Sequence, residues 1–223
     1  MKKVKNKAKL VAIVVLTILA LFGLVHGHKN KARIDSIEIL EEATIPYSST
    51  LNFRQTVNDC GPFNVAAIVR IIKEREVSSS TFAKEIGWRL PNKYTLPQGL
   101  ESLLGKNDVK FKTPNVNDLS DEDKMKYLKQ ELSKKHPIII LGARDEFVGS
   151  EYQHYITLLG FNNKEDIFYV YDPFYTKSHE GMTIDSNGEK SGNRNYKEKD
   201  LLEFWKKGGM YGLYTWYLIV AEK

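Results

Sequence analysis

Cys60 is the one cysteine in 223 residues. The chain can form no internal disulfide, so its stability must come from a packed core. The same scarcity weighs against a metal centre: Cys60 has no partner cysteine, and His154 has no second histidine at ligand spacing. Residues 185–189 open like a calcium loop, but the later ligands are missing, so they read as a turn. No cofactor is expected. Internal repeats are also missing, as is any basic run interleaved with aromatics. The formal charge of +5 and the pI near 9.0 would suit nucleic acid. Five lysines (Lys2, Lys3, Lys5, Lys7 and Lys9) account for that excess, because +5 less 5 leaves about zero. Nucleic acid is therefore not an expected partner.

Charge is lacking altogether from residues 10–25, which follow those lysines. A basic stretch ahead of an uncharged apolar run is the pattern of a signal peptide or a signal anchor. No clear Ala-x-Ala cleavage signature follows, and no cysteine is present for lipid attachment. An anchor is favoured over a cleaved signal, and both readings stay open. Either would leave the lysines inside and the remainder exported. The expected location is a cell membrane, single-pass with the main domain outside, or secreted if the segment is cleaved. No transporter segment follows the run, so a full exporter is not expected. The expected organisation is residues 1–28 as anchor or signal, 29–51 as a tether, and 52–223 as one folded domain.

What is present suits a globular domain: 42% hydrophobic and 27% charged residues. Residues 34–40 read as a short strand. Pro62 opens residues 63–72, where Val65, Ile68, Val69 and Ile72 recur at helical spacing. Further helices are expected after the caps in Ser78-Ser79-Ser80, from Pro97 to a stop at Gly105, after Ser120 to about residue 133, and over residues 200–206. Short strands are expected at residues 109–111, 137–142, 154–161, 167–171 and 213–221, with residues 176–197 as a polar connection. Residues 154–161 and 167–171 read as a β-hairpin. Helices first and a mostly antiparallel sheet afterwards define an α+β fold.

Cys60 then falls at or just before a helix start, where unpaired N–H groups and the helix dipole favour a thiolate over a thiol. The competing reading is a buried free cysteine acting as a small hydrophobe. A cysteine nucleophile needs a base and a group to orient that base. His26 and His28 belong to the tether region, His136 sits beside Pro137, and His179 lies in a polar stretch. His154 opens one strand of the hairpin and Asp172 closes the other, so the two would meet at one end of the sheet. Each also has an ordinary reading, as a half-exposed strand histidine and as a turn aspartate before proline.

Gln55, Asp59-Cys60-Gly61-Pro62, His154-Tyr155-Ile156 and Tyr171-Asp172-Pro173 together resemble the papain-like cysteine peptidases that process double-glycine leaders in bacteriocin exporters, and their stand-alone relatives. The resemblance runs from about Asn52 to the C-terminus. It implies a papain-like fold with N-terminal helices packed on a mostly antiparallel sheet, and a peptide or protein substrate. It also implies roles: Cys60 as nucleophile, His154 as general base and then acid, Asp172 as orienter, and Gln55 as oxyanion donor with the Cys60 N–H. Gln55 stands one residue nearer the cysteine than the family spacing, which makes Asn58 the fallback donor. The expected chemistry is peptide hydrolysis through a thioester. Two alternatives remain: a non-catalytic peptide-binding module, and a cysteine amidase or acyltransferase on the same scaffold.

Overall fold

The computed structural model describes residues 31–36, 38–143, 153–174, 191–209 and 212–223. Residues 32–223 form one compact unit. Its elements in chain order are β1 (Glu42–Thr44), a 3-10 turn (Ser49–Leu51), α1 (Cys60–Lys73), α2 (Ser79–Glu85), α3 (Pro97–Lys106), β2 (Lys110–Lys112), α4 (Asp121–Ser133), β3 (Ile138–Ala143), β4 (Gln153–Asn162), β5 (Ile167–Tyr171), β6 (Arg194–Lys197), α5 (Glu198–Lys206) and β7 (Leu218–Glu222). The strands make a seven-stranded sheet in the order β2-β7-β3-β4-β5-β6, with β1 also paired to β4. Every pairing is antiparallel. The fold is α+β, as expected.

The first helix, α1, is the centre of the helical part. Pro62 sits in its first turn, where a missing N–H costs no intrahelical bond. Its residues are buried from Cys60 to Ile71, so it is a core helix and not an amphipathic surface one. It reaches the sheet at β4. Where β1 crosses β4, a Cβ on Gly160 would fall 2.2 Å from the Ala43 carbonyl oxygen. Only glycine admits β1 that closely. The strand falls in the stretch read from sequence as a tether, and Ala43, Ile45 and Tyr47 there are core residues.

Several boundaries differ from the sequence reading. Residues 34–36 and 38–40 form no strand; Ile37 lies outside the described residues. Gly105 does not end α3, which runs on to Lys106, and the left-handed residue beyond it is Asp108 (φ 55°). The closing strand starts five residues later than expected, because Gly212 (φ 85°) and Trp216 (φ 56°) bend the chain ahead of it. β6 lies inside the expected polar connection. Residues 185–189, read from sequence as a turn, lie outside the described residues.

One expectation is corrected outright. Among the described residues no helix is long and apolar enough to cross a membrane. The longest of them, the 14-residue α1, extends about 21 Å at 1.5 Å per residue, against a hydrocarbon core of about 30 Å. The expected single-pass placement in a cell membrane therefore does not stand. The run at residues 10–25 on which it rested lies outside the described residues.

Candidate active site

Three elements bring the sequence-predicted residues together. Cys60 is the first residue of α1 and is 5% exposed. His154 is the second residue of β4, and Asp172 directly follows β5; both are buried. The antiparallel pairing of β4 with β5 sets the start of one strand beside the end of the other. His154 Nε2 lies 2.8 Å from Asp172 Oδ1. With Nε2 held by the carboxylate, Nδ1 is the ring nitrogen left to meet Cys60, whose side chain helps to raise the imidazole pKa.

Burial works to lower the His154 pKa, but the Asp172 carboxylate and then Cys60 outweigh it and hold the imidazole up at about 9. The ring is also fixed from its flanks. Phe174 stands edge-on at 5.9 Å between centroids and Phe204 at 6.5 Å. Phe204 reaches that position because Gly142, the β3 residue opposite His154, has no side chain. A Cβ there would lie 2.1 Å from the Phe204 ring.

A buried amide joins the cysteine helix to the histidine strand. Asn64 Nδ2 donates to the carbonyls of Cys60 and Tyr155, each at 2.8 Å. Its Oδ1 accepts from Thr157 Oγ1 at 2.6 Å. Both N–H donors and the carbonyl of the amide are thus used, and the register of α1 against β4 is set next to His154.

The loop ahead of Cys60 is clamped from two sides. Asp59, buried, accepts from Arg89 Nη2 at 2.6 Å and from Thr56 Oγ1. Arg89 also bonds the carbonyls of Asn58, Ala83 and Lys93. On the other side, Tyr171 Oη donates to the Phe53 carbonyl at 2.6 Å, and the Gln55 N–H donates to the Pro173 carbonyl at 2.7 Å. Gln55 is thus docked at the Asp172-Pro173 turn. Its side-chain oxygen is buried without a hydrogen-bond partner among the described residues. An amide rotates about its terminal bond, so that position equally accepts its NH2 group. Asn58, the fallback donor, adopts φ 58° and its Nδ2 donates to the Asn92 carbonyl at 2.6 Å. Its amide nitrogen is engaged elsewhere.

Sequence reading missed Asn64, Arg89 and Arg194, whose Nη1 lies 2.9 Å from Asp172 Oδ2. Arg89 and Arg194 act across long sequence separations, and no local pattern marks them. Asn64 sits as a polar residue among the apolar Phe63, Val65, Ala66 and Ala67 of the helical run, and that was the one available signal. Among the described residues no group of three or more His, Cys, Asp or Glu side chains is placed to hold a metal ion.

A cysteine at the head of a buried helix, facing a strand-borne histidine on an antiparallel sheet, defines the papain-like class of peptidase fold. The model of the Peptidase_C39 like family matches residues 43–207, and the chain belongs to that family of cysteine-type peptidases. Among solved structures it is similar to the peptidase domain of Streptococcus ComA, described as a bi-functional ABC transporter involved in a quorum sensing pathway. The identity is 17% and the TM-score 0.51, over 77% of this chain and 97% of that one. At that identity the likeness speaks for the fold. No curated protein matches the sequence.

Proposed function

We propose that this chain hydrolyses peptide bonds through a Cys60–His154–Asp172 triad and a thioester intermediate. The observation that carries the reading is the buried 2.8 Å contact between His154 Nε2 and Asp172 Oδ1, with Cys60 against the same ring. His154 takes the Cys60 proton, and the Cys60 sulfur attacks the substrate carbonyl carbon, whose oxygen becomes the oxyanion. His154 then gives its proton to the leaving amine as the C–N bond breaks, and water, deprotonated by His154, releases the thioester as a carboxylate. Asp172 fixes the ring through Nε2 and stabilises the imidazolium. The oxyanion is met by the Cys60 N–H at the start of α1 and by the Gln55 amide.

Incubation with a peptide library that includes double-glycine leader sequences, read by mass spectrometry, tests this. Wild type should give cleaved products and a transient adduct on Cys60, and Cys60→Ala should give neither. Gln55→Ala should lower turnover by roughly 10²–10³-fold if its amide donates to the oxyanion. Cleavage that persists in Cys60→Ala would contradict the proposal.

A further inference from the structure

Asp172 is gripped more fully than its role beside His154 requires. Its Oδ1 accepts from His154 Nε2 at 2.8 Å and from the Phe174 N–H at 3.0 Å. Its Oδ2 faces Arg194 Nη1 at 2.9 Å. Its backbone is held by Asn193, whose Oδ1 accepts the Asp172 N–H at 2.8 Å and whose Nδ2 donates to the Asp172 carbonyl at 2.9 Å. The start of β6 therefore holds Asp172 by both main chain and side chain. The Asp172 side chain is fully buried, so its charge is balanced by these partners and not by bulk water.

We propose that Arg194 is a positioning residue for the His154–Asp172 pair, holding the second carboxylate oxygen and limiting how tightly Asp172 retains the imidazolium proton. The inference rests on the triad reading above. Two physical arguments carry it. The first is geometric. The Arg194 guanidinium lies over the Tyr196 ring at 4.4 Å, so the group that meets Oδ2 is itself located. Oδ1 is thereby left turned to the ring of His154. A planar, stacked guanidinium provides this orientation better than a flexible ammonium does.

The second argument is electrostatic. Among the described residues, Asp172 after β5 and Cys60 from α1 are the charged or titratable groups that act on His154, and Arg194 on β6 meets the far oxygen of Asp172; the flanking Phe174 and Phe204 carry no charge. A permanent cation on the far oxygen shares the carboxylate charge with the imidazolium and repels it. Without Arg194, His154 would bind its proton more firmly and pass it less readily to a leaving amine.

The test is the titration of the His154 ring in ¹³C-histidine-labelled protein by NMR, with its signal assigned by loss in His154→Ala. Arg194→Gln and Arg194→Met should raise the midpoint by about half a unit to one unit. Arg194→Lys should raise it less, and Asp172→Asn should lower it. If both uncharged variants fold and titrate within about 0.2 unit of wild type while Asp172→Asn still lowers the midpoint, the Arg194 proposal fails and the triad stands. If Asp172→Asn leaves the midpoint in place, the pair itself falls and the proposal with it. If neither uncharged variant folds and Arg194→Lys titrates as wild type, Arg194 serves the fold alone and the proposal is overturned.

Discussion

His154 is where burial and charge oppose each other most directly. Burial favours the neutral ring, yet the adjacent Asp172 and Cys60 hold the imidazole up at about 9, against about 6.5 in an unfolded chain. A raised pKa means that the folded state binds the proton more tightly than the unfolded state does. The associated stability is therefore fully present below about pH 6.5 and is lost as pH climbs through about 9. Thermal unfolding followed from pH 6 to 10 should show Tm falling across that window in wild type, and a flatter profile in His154→Ala. Equal slopes in the two proteins would mean that no charged pair forms. The meeting of Cys60, His154 and Asp172 was legible in the sequence because a helix start beside Gly-Pro and the two ends of one hairpin are local signals. Arg194 was not, because its partner Asp172 lies 22 positions away and an arginine in a polar stretch looks like any solvated charge.

Elements with local signals were legible and those made by tertiary contact were not. Ser78 and Ser120 cap α2 and α4 by accepting the N–H of Thr81 and Asp123, and β5 matches its apolar run residue for residue. β6, by contrast, is Arg-Asn-Tyr-Lys, which has no strand pattern of its own and is extended because β5 offers it an edge. The residues before β7 look like continuous strand, but Trp216 packs edge-on against Trp205 at 5.1 Å, and Trp205 Nε1 donates to the Tyr217 carbonyl. Those contacts turn the chain before it can extend. The link between α1 and β4 makes a prediction of its own. Asn64→Ala would leave the buried Tyr155 carbonyl and Thr157 hydroxyl short of partners, at a cost of about 2–3 kcal/mol. Urea unfolding should show this loss, together with reduced alkylation of Cys60 at low pH as the helix loosens from the histidine strand. An Asn64→Ala protein as stable as wild type would show that the amide does not lock the two elements.

At the scale of the whole molecule, the order of elements was legible: helices first, then an antiparallel sheet built largely from the second half of the chain. The N-terminal limit was harder to read, because β1 is three residues long and a strand that short leaves no periodicity. The strand and the residues after it nevertheless contribute Ala43, Ile45 and Tyr47 to the core, and the Ser191 hydroxyl donates to the Ile45 carbonyl. A chain beginning at Ala32 should therefore fold alone with a cooperative melt. One beginning at Asn52 should melt several degrees lower, since it uncovers the side of β4 that β1 occupies. Equal melting temperatures would place residues 32–51 outside the folding unit.

The central claim is that helix and sheet meet so that Cys60 and His154 act as one charged pair, and a single cysteine makes it directly measurable. The rate of Cys60 alkylation by iodoacetamide, followed by mass spectrometry from pH 4 to 10, requires no knowledge of the substrate. The account predicts appreciable alkylation at pH 5–6, where an ordinary thiol, with a pKa near 8.5, is about a hundredfold or more below its full reactivity. It also predicts loss of that low-pH reaction in His154→Ala. An ordinary thiol profile in wild type, unchanged in His154→Ala, would contradict it.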